Sequence, residues 1–165
     1  MKISLIGFMG CGKSTVGRLL SKKLNFPFID IDEEIEKKVG TSIPEIFRQF
    51  GEDFFREKEI EIFKAIISNF DKVIISTGGG MPSYKNNLKI LNEHSISIYL
   101  KADFETLWER IKADSNRPLV KRGKNELMKL YKTRENFYKK AKIIVNTQNK
   151  TPEQIANEIM EKIVK

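Results

Sequence analysis

Residues 7–14 read Gly-Phe-Met-Gly-Cys-Gly-Lys-Ser, the pattern G-x-x-x-x-G-K-[ST]. This pattern binds phosphate only where it joins a strand to a helix. The flanks supply both. Lys2-Ile3-Ser4-Leu5-Ile6 reads as a short buried strand, and Thr15 to Leu24 as a helix with Val16, Leu19, Leu20 and Leu24 on one face. Glycines let successive backbone N–H groups turn inward onto an anion, and the helix N-terminus adds its dipole and free donors. Lys13 is then placed to reach the β- and γ-phosphates of a nucleoside triphosphate, and the Ser14 hydroxyl to hold Mg²⁺. A chance glycine-rich turn would not have both flanks.

Strand and helix patterns alternate along the rest of the chain, which predicts an α/β fold with three α/β/α layers and a five-stranded parallel sheet. After Lys2–Ile6, the strands are Phe28-Ile29-Asp30, Lys72 to Thr77, Ile96 to Leu100 and Ile143-Ile144-Val145. Helices are expected at about 32–39, 42–50, 53–69, 84–93, 104–112 and 125–140. Ser42 caps the second of these, Gly40 closes the first and Gly51 breaks the chain between the second and third. Thr151-Pro152-Glu153-Gln154 is a capping box opening a closing helix with the stripe Ile155, Ile159 and Ile163. The polar stretch at about 113–124 is the only long loop and reads as a mobile lid. Residues 1–165 are expected to form one domain, with an acceptor-binding helical part at about 32–63.

The formal charge is +8, but Lys and Arg are interleaved with Glu along the helices, and no aromatic ladder is present to stack bases. The excess therefore points to anionic small substrates rather than nucleic acid. No apolar run approaches the ~20 residues of a membrane span. The apolar start is taken up by the phosphate loop and no small-residue cleavage site follows it, so no signal peptide is read there. The single cysteine, Cys11, excludes an internal disulfide, suits the cytoplasm and acts as a small filler of the loop. His94, the only histidine, has no partners in the pattern.

Ligands in parallel sheets bind at the carboxyl ends of the strands. The phosphate loop, Asp30-Ile31-Asp32 and Gly78-Gly79-Gly80 all lie at such ends and should converge. Period-two geometry would put Asp30 and Asp32 on one side of an extended segment. One would serve Mg²⁺ through water and the other a substrate hydroxyl, unless Asp32 is only a helix cap. The triple glycine lets backbone amides approach a ligand closely. Arg56 and Glu59 are i,i+3 neighbours, and Phe54 and Phe55 give Arg56 a partly apolar setting in which it would bind a carboxylate. Arg117, in Arg-Pro-Leu, is placed to close over phosphates. Arg134 follows on the next helix.

Taken as an ordered set, these residues resemble the shikimate kinase family over nearly the whole chain. The set comprises the phosphate loop, Asp-x-Asp at 30–32, Phe-Arg-x-x-Glu at 55–59, Gly-Gly-Gly at 78–80, Arg-Pro-Leu at 117–119 and the segment from Arg134 to Tyr138. The resemblance implies transfer of the γ-phosphoryl group of MgATP to the 3-hydroxyl of shikimate. It implies that Gly10, Cys11, Gly12, Lys13, Ser14 and Thr15 hold ATP, with Arg110 and Lys150 near the adenine. It further implies that Asp32 engages the shikimate hydroxyls and that Arg56 and Arg134 clamp the carboxylate beside Gly78, Gly79 and Gly80. Glu59 would position Arg56, Ser14 and Asp30 would serve Mg²⁺, and Lys13 and Arg117 would stabilise the transferring group. A monomer is expected.

Three departures stand out. The 134–138 run lacks the family's usual proline, Lys150 stands where Arg is common and stacks less well on a base, and Glu57 replaces an Arg often found after Arg56. Two alternatives are weighed. A kinase of gluconate or of a nucleoside monophosphate would share the phosphate loop, but the glycine run and Phe-Arg-x-x-Glu favour shikimate. A nucleotide-dependent switch would hydrolyse ATP without regard to any acceptor.

Overall fold

The computed structural model describes residues 1–114 and 117–164. Five strands form one parallel sheet: β1 (Lys2–Ile6), β2 (Phe28–Asp30), β3 (Val73–Ser76), β4 (Ile96–Lys101) and β5 (Ile143–Asn146), in the order β2-β3-β1-β4-β5. Successive strand residues point to opposite faces. All four residues of β3 are buried, as are four of five in β1 and four of six in β4, so both faces of the sheet centre are covered. β2 and β5 lie at the edges and are only partly buried.

The helices are α1 (Lys13–Leu24), α2 (Ile31–Val39), α3 (Ile43–Asn69), α4 (Asn87–His94), α5 (Phe104–Ile111), α6 (Lys124–Tyr138) and α7 (Pro152–Ile163). α1 packs against α7, and α2 against α3. The expected caps are present: Ser42 accepts from the Glu45 N–H, and Thr151 and Gln154 close a capping box. The two helices expected on either side of Gly51 are present, and α3 is the pair joined across a kink at that residue. Gly51 sits at φ 83°, ψ 174°, which only glycine adopts freely, and regular helix resumes beyond it. In the stretch expected as a lid, Pro118–Arg122 forms a short 3₁₀ helix, and Ser115 and Asn116 lie outside the described residues. No helix of the described residues is long and apolar enough to cross a membrane.

This strand order brings the expected site together. β2, β3 and β1 are neighbours, with Asp30 opposite Ser76 and Ser76 opposite Leu5. Three carboxyl ends, carrying Asp30, the glycine run and the phosphate loop, therefore lie side by side.

Candidate active site

The phosphate loop wraps the start of α1. Gly12, at φ 98°, precedes the helix, and no side chain caps the helix N-terminus. Its first N–H groups are therefore left for an anion. Cys11 is buried, and a methyl group at Gly7 would come within 2.7 Å of its sulfur, so the thiol fills the loop from inside. The Lys13 ammonium folds back over the loop, donating to Gly7 O at 2.6 Å and Phe8 O at 3.3 Å.

The two aspartates are arranged differently from the extended pair that the spacing suggests. The strand ends at Asp30 and the helix begins at Ile31, so period-two geometry does not apply. Asp30, not Asp32, is the cap: its Oδ1 accepts from the N–H groups of Asp32 (2.9 Å) and Glu33 (3.3 Å). Its Oδ2 accepts from the Ser14 hydroxyl at 3.0 Å. Asp32 is thereby freed from capping. Its Oδ1 is buried without a hydrogen-bond partner. Burial, then the neighbouring Asp30 charge, pushes its carboxyl up to about 6 against the pull of Lys13 and Arg56. Both aspartates line a cleft of about 360 Å³ together with residues 10–15, Ser76, Thr77, Gly78, Gly79 and Arg117.

The glycine run borders four functional side chains. A methyl group at Gly78 would lie 2.6 Å from Glu59 Oε2 and 3.0 Å from Asp32 Oδ1. One at Gly80 would lie 2.3 Å from a terminal nitrogen of Arg56 and 2.7 Å from one of Arg134. None of the three glycines has a positive φ, so space rather than backbone conformation demands glycine here.

Arg56, Glu59 and Arg134 are all buried. Arg56 Nη1 donates to Glu59 Oε1 at 2.6 Å, while Arg56 Nε and Glu59 Oε2 have no hydrogen-bond partner. Burial pushes the Glu59 carboxyl up to about 7, although Arg56 and Arg134 act to lower it and Asp32 to raise it. Arg134 forms no ion pair among the described residues and sits over the Phe8 ring, 5.9 Å from its centroid. Burial lowers its pKa. Two buried guanidiniums therefore meet at Gly80: Arg56, paired with Glu59 and 3.6 Å from the exposed Glu52 carboxylate, and Arg134, which has no ion pair among the described residues. Beside them, Asp32 offers an unused acceptor. A ligand carrying both a carboxylate and hydroxyls fits that pairing.

The other expected residues fall nearby or elsewhere. Arg117 lines the cleft, its Nε 2.9 Å from Asp114 Oδ2. Arg110 donates to Gly10 O at 2.9 Å, at the rim of the phosphate loop. Lys150 is not among the cleft residues and pairs with Glu158 at 2.8 Å. Ser76 and Thr77 line the cleft without having been singled out. Their signal was position alone, at the end of a strand next to the phosphate loop.

A family model described as shikimate kinase matches residues 9–164. The chain belongs to the shikimate kinase family. A shikimate kinase of Persephonella marina is 43% identical over 161 residues, covering 98% of each chain. The crystal structure of shikimate kinase from Aquifex aeolicus superposes with a TM-score of 0.90 at 42% identity, covering 99% of this chain and 96% of the other. A shikimate kinase from Acinetobacter baumannii, solved in complex with shikimate, gives 0.93 at 35% identity, covering 99% and 92%.

Among the departures for a shikimate kinase, Glu57 lies exposed and 3.6 Å from Lys85, away from the arginine pair. Asn136 leaves α6 unbroken from Lys124 to Tyr138.

Proposed function

We propose that this shikimate kinase transfers the γ-phosphoryl group of ATP to the 3-hydroxyl of shikimate, giving shikimate 3-phosphate and ADP. The observation that carries the reading is the meeting of the Arg56 and Arg134 guanidiniums at Gly80, beside the unpartnered Asp32 Oδ1. The arginines bind the acceptor carboxylate, each able to present two N–H groups to it. Gly78, Gly79 and Gly80 leave room for the acceptor ring, and Glu59 holds Arg56. Asp32 Oδ1 accepts the hydrogen bond of the attacking hydroxyl. With its carboxyl near 6, Asp32 is mostly ionised at neutral pH and basic enough to take the proton as the new P–O bond forms.

On the nucleotide side, the residues 10–15 backbone and the α1 N-terminus cradle the phosphates. Lys13 exchanges its two backbone carbonyls for phosphate oxygens, and Arg117 adds positive charge at the transferring group. Arg110 borders the base side of the loop. Lys150 would have to leave Glu158 to reach the adenine.

Mg²⁺ fits the donor set. The Ser14 hydroxyl and Asp30 Oδ2 stand together at the phosphate loop, and among the described residues no cluster of three or more His, Cys, Asp or Glu forms a protein cage. Such a site suits an ion held by one hydroxyl, water and substrate phosphates, where it would neutralise charge on the β- and γ-oxygens. We read the protein as a monomer, and gel filtration checks it.

The test is ADP release from MgATP with shikimate, gluconate, AMP or no acceptor. Release that depends on shikimate, one phosphorylated product per ADP, is the expected result. Release indifferent to all acceptors would leave nucleotide binding and remove the acceptor assignment.

A further inference from the structure

We propose that Tyr138 is a positioning residue for the acceptor clamp: its hydroxyl, donated to Gly79 O, fixes the spacing between α6 and the glycine run and so sets where Arg134 presents its guanidinium. The inference rests on the reading of Arg134 as a carboxylate clamp.

Tyr131, Arg134, Glu135 and Tyr138 follow one another at helical spacing and share one face of α6. Arg134 has a long, flexible side chain and no ion pair among the described residues to hold its charged end. Its position therefore depends on how α6 is seated and on the Tyr138 hydroxyl, which lies within interaction range of the guanidinium. Three hydrogen bonds seat that face. Tyr138 donates to Gly79 O, and Tyr99 donates to Glu135 Oε2 at 2.9 Å. The Tyr131 hydroxyl lies 2.8 Å from Ala102 O and 3.1 Å from Glu135 Oε2. The Tyr138 ring is fully buried against Tyr99, with centroids 5.1 Å apart, and the Tyr131 ring packs edge-on to Phe8 of the phosphate loop at 5.3 Å. Burial raises the proton affinity of all three phenols, so they remain donors at any working pH.

The Tyr138 bond differs from the other two in where it lands. A methyl group at Gly79 would lie 3.4 Å from Arg134 Nη1, and one at Gly80 2.7 Å from Nη2. Tyr138 thus grips the carbonyl of the segment over which Arg134 lies, one helical turn from Arg134 on the same helix. Without the hydroxyl, that partly buried carbonyl loses its donor, and the glycine run and α6 are free to part.

Tyr138→Phe keeps the ring and its packing and removes only the hydroxyl. Initial rates with varied shikimate and varied ATP are measured for wild type, Tyr138→Phe, Arg134→Ala and the double variant, with thermal unfolding of each. Tyr138→Phe is expected to raise KM for shikimate about tenfold while KM for ATP moves by less than about twofold. In the Arg134→Ala background the same change is expected to add nothing, because there is no guanidinium left to position. An unchanged KM for shikimate in Tyr138→Phe overturns the proposal, whatever happens to Tm. So does the same fold-increase with and without Arg134, which would make Tyr138 a packing residue. An unchanged KM in Arg134→Ala removes the clamp reading itself, and is distinguished by that variant alone.

Discussion

A single methyl group at Gly80 would meet two cations at once. Gly80 has no positive φ, so Gly80→Ala carries no backbone strain and costs the fold little. It should instead push the Arg56 and Arg134 ends apart. KM for shikimate is expected to rise by about tenfold or more, with Tm within a few degrees of wild type and KM for ATP unchanged. A second residue-scale expectation concerns Glu59. Its carboxyl is held at about 7 in the folded protein against an ordinary 4.5. Between those values the native state keeps a proton that the unfolded chain has shed. The stabilisation is complete below 4.5 and lost as pH rises through about 7. Urea unfolding at about pH 5 and pH 8 should show the loss, and Glu59→Gln should flatten the slope although its absolute stability is lower for want of an Arg56 partner. Equal slopes would disprove the assignment. Most residues of this site were legible as motifs, since Lys13, Ser14, Asp32, Arg56 and Arg134 sit in distinctive local patterns. Which of Asp30 and Asp32 caps α2 was not. It depends on the helix starting one residue earlier than the spacing suggests, and a one-residue shift decides which side chain caps and which is free. Tyr138 was visible only as the last letter of a motif, because its partner carbonyl is 59 residues away.

Among the elements, α3 shows what glycine contributes locally. Gly51 has nothing within 4 Å of where a side chain would begin, so crowding does not explain it. Its backbone conformation does. Gly51→Ala should destabilise by about 1–3 kcal/mol through strain alone, read as a lower midpoint in urea with unchanged m. A loss below about 0.5 kcal/mol would mean that the kink relaxes into regular helix. The break at Gly51 was legible, and so were the helices on either side of it. Residue identity shows that helical dihedrals stop there. The caps at Ser42 and Thr151 were read correctly because both bonds are made within four residues. Element ends elsewhere shifted by a few residues, as at α4, which begins at Asn87 rather than Tyr84. That start follows a turn in which Lys85 adopts φ 47°, a conformation that its residue type does not announce.

For the whole molecule, alternating patterns made the parallel sheet legible, but the order β2-β3-β1-β4-β5 was not, since no local pattern encodes which strands adjoin. The formal charge of +8 also acts at this scale. Both substrates are anions, so the field should assist their capture and weaken within a shorter screening length as salt is added. KM for shikimate and for ATP should both rise between about 0.05 and 0.5 M NaCl, with kcat less affected. A KM independent of salt would show that local contacts alone set affinity.

The strand order has a consequence in time. β1 is the central strand of the sheet and is made before its partners β3 and β4, which begin at Val73 and Ile96. The phosphate loop therefore leaves the ribosome well before the strands that wall it. During that interval an apolar strand waits without neighbours. Contacts of such long range slow folding relative to a helical bundle of this size. Nucleotide can find its cradle only after the middle of the chain has arrived, so ligand capture is a late event in the birth of the molecule.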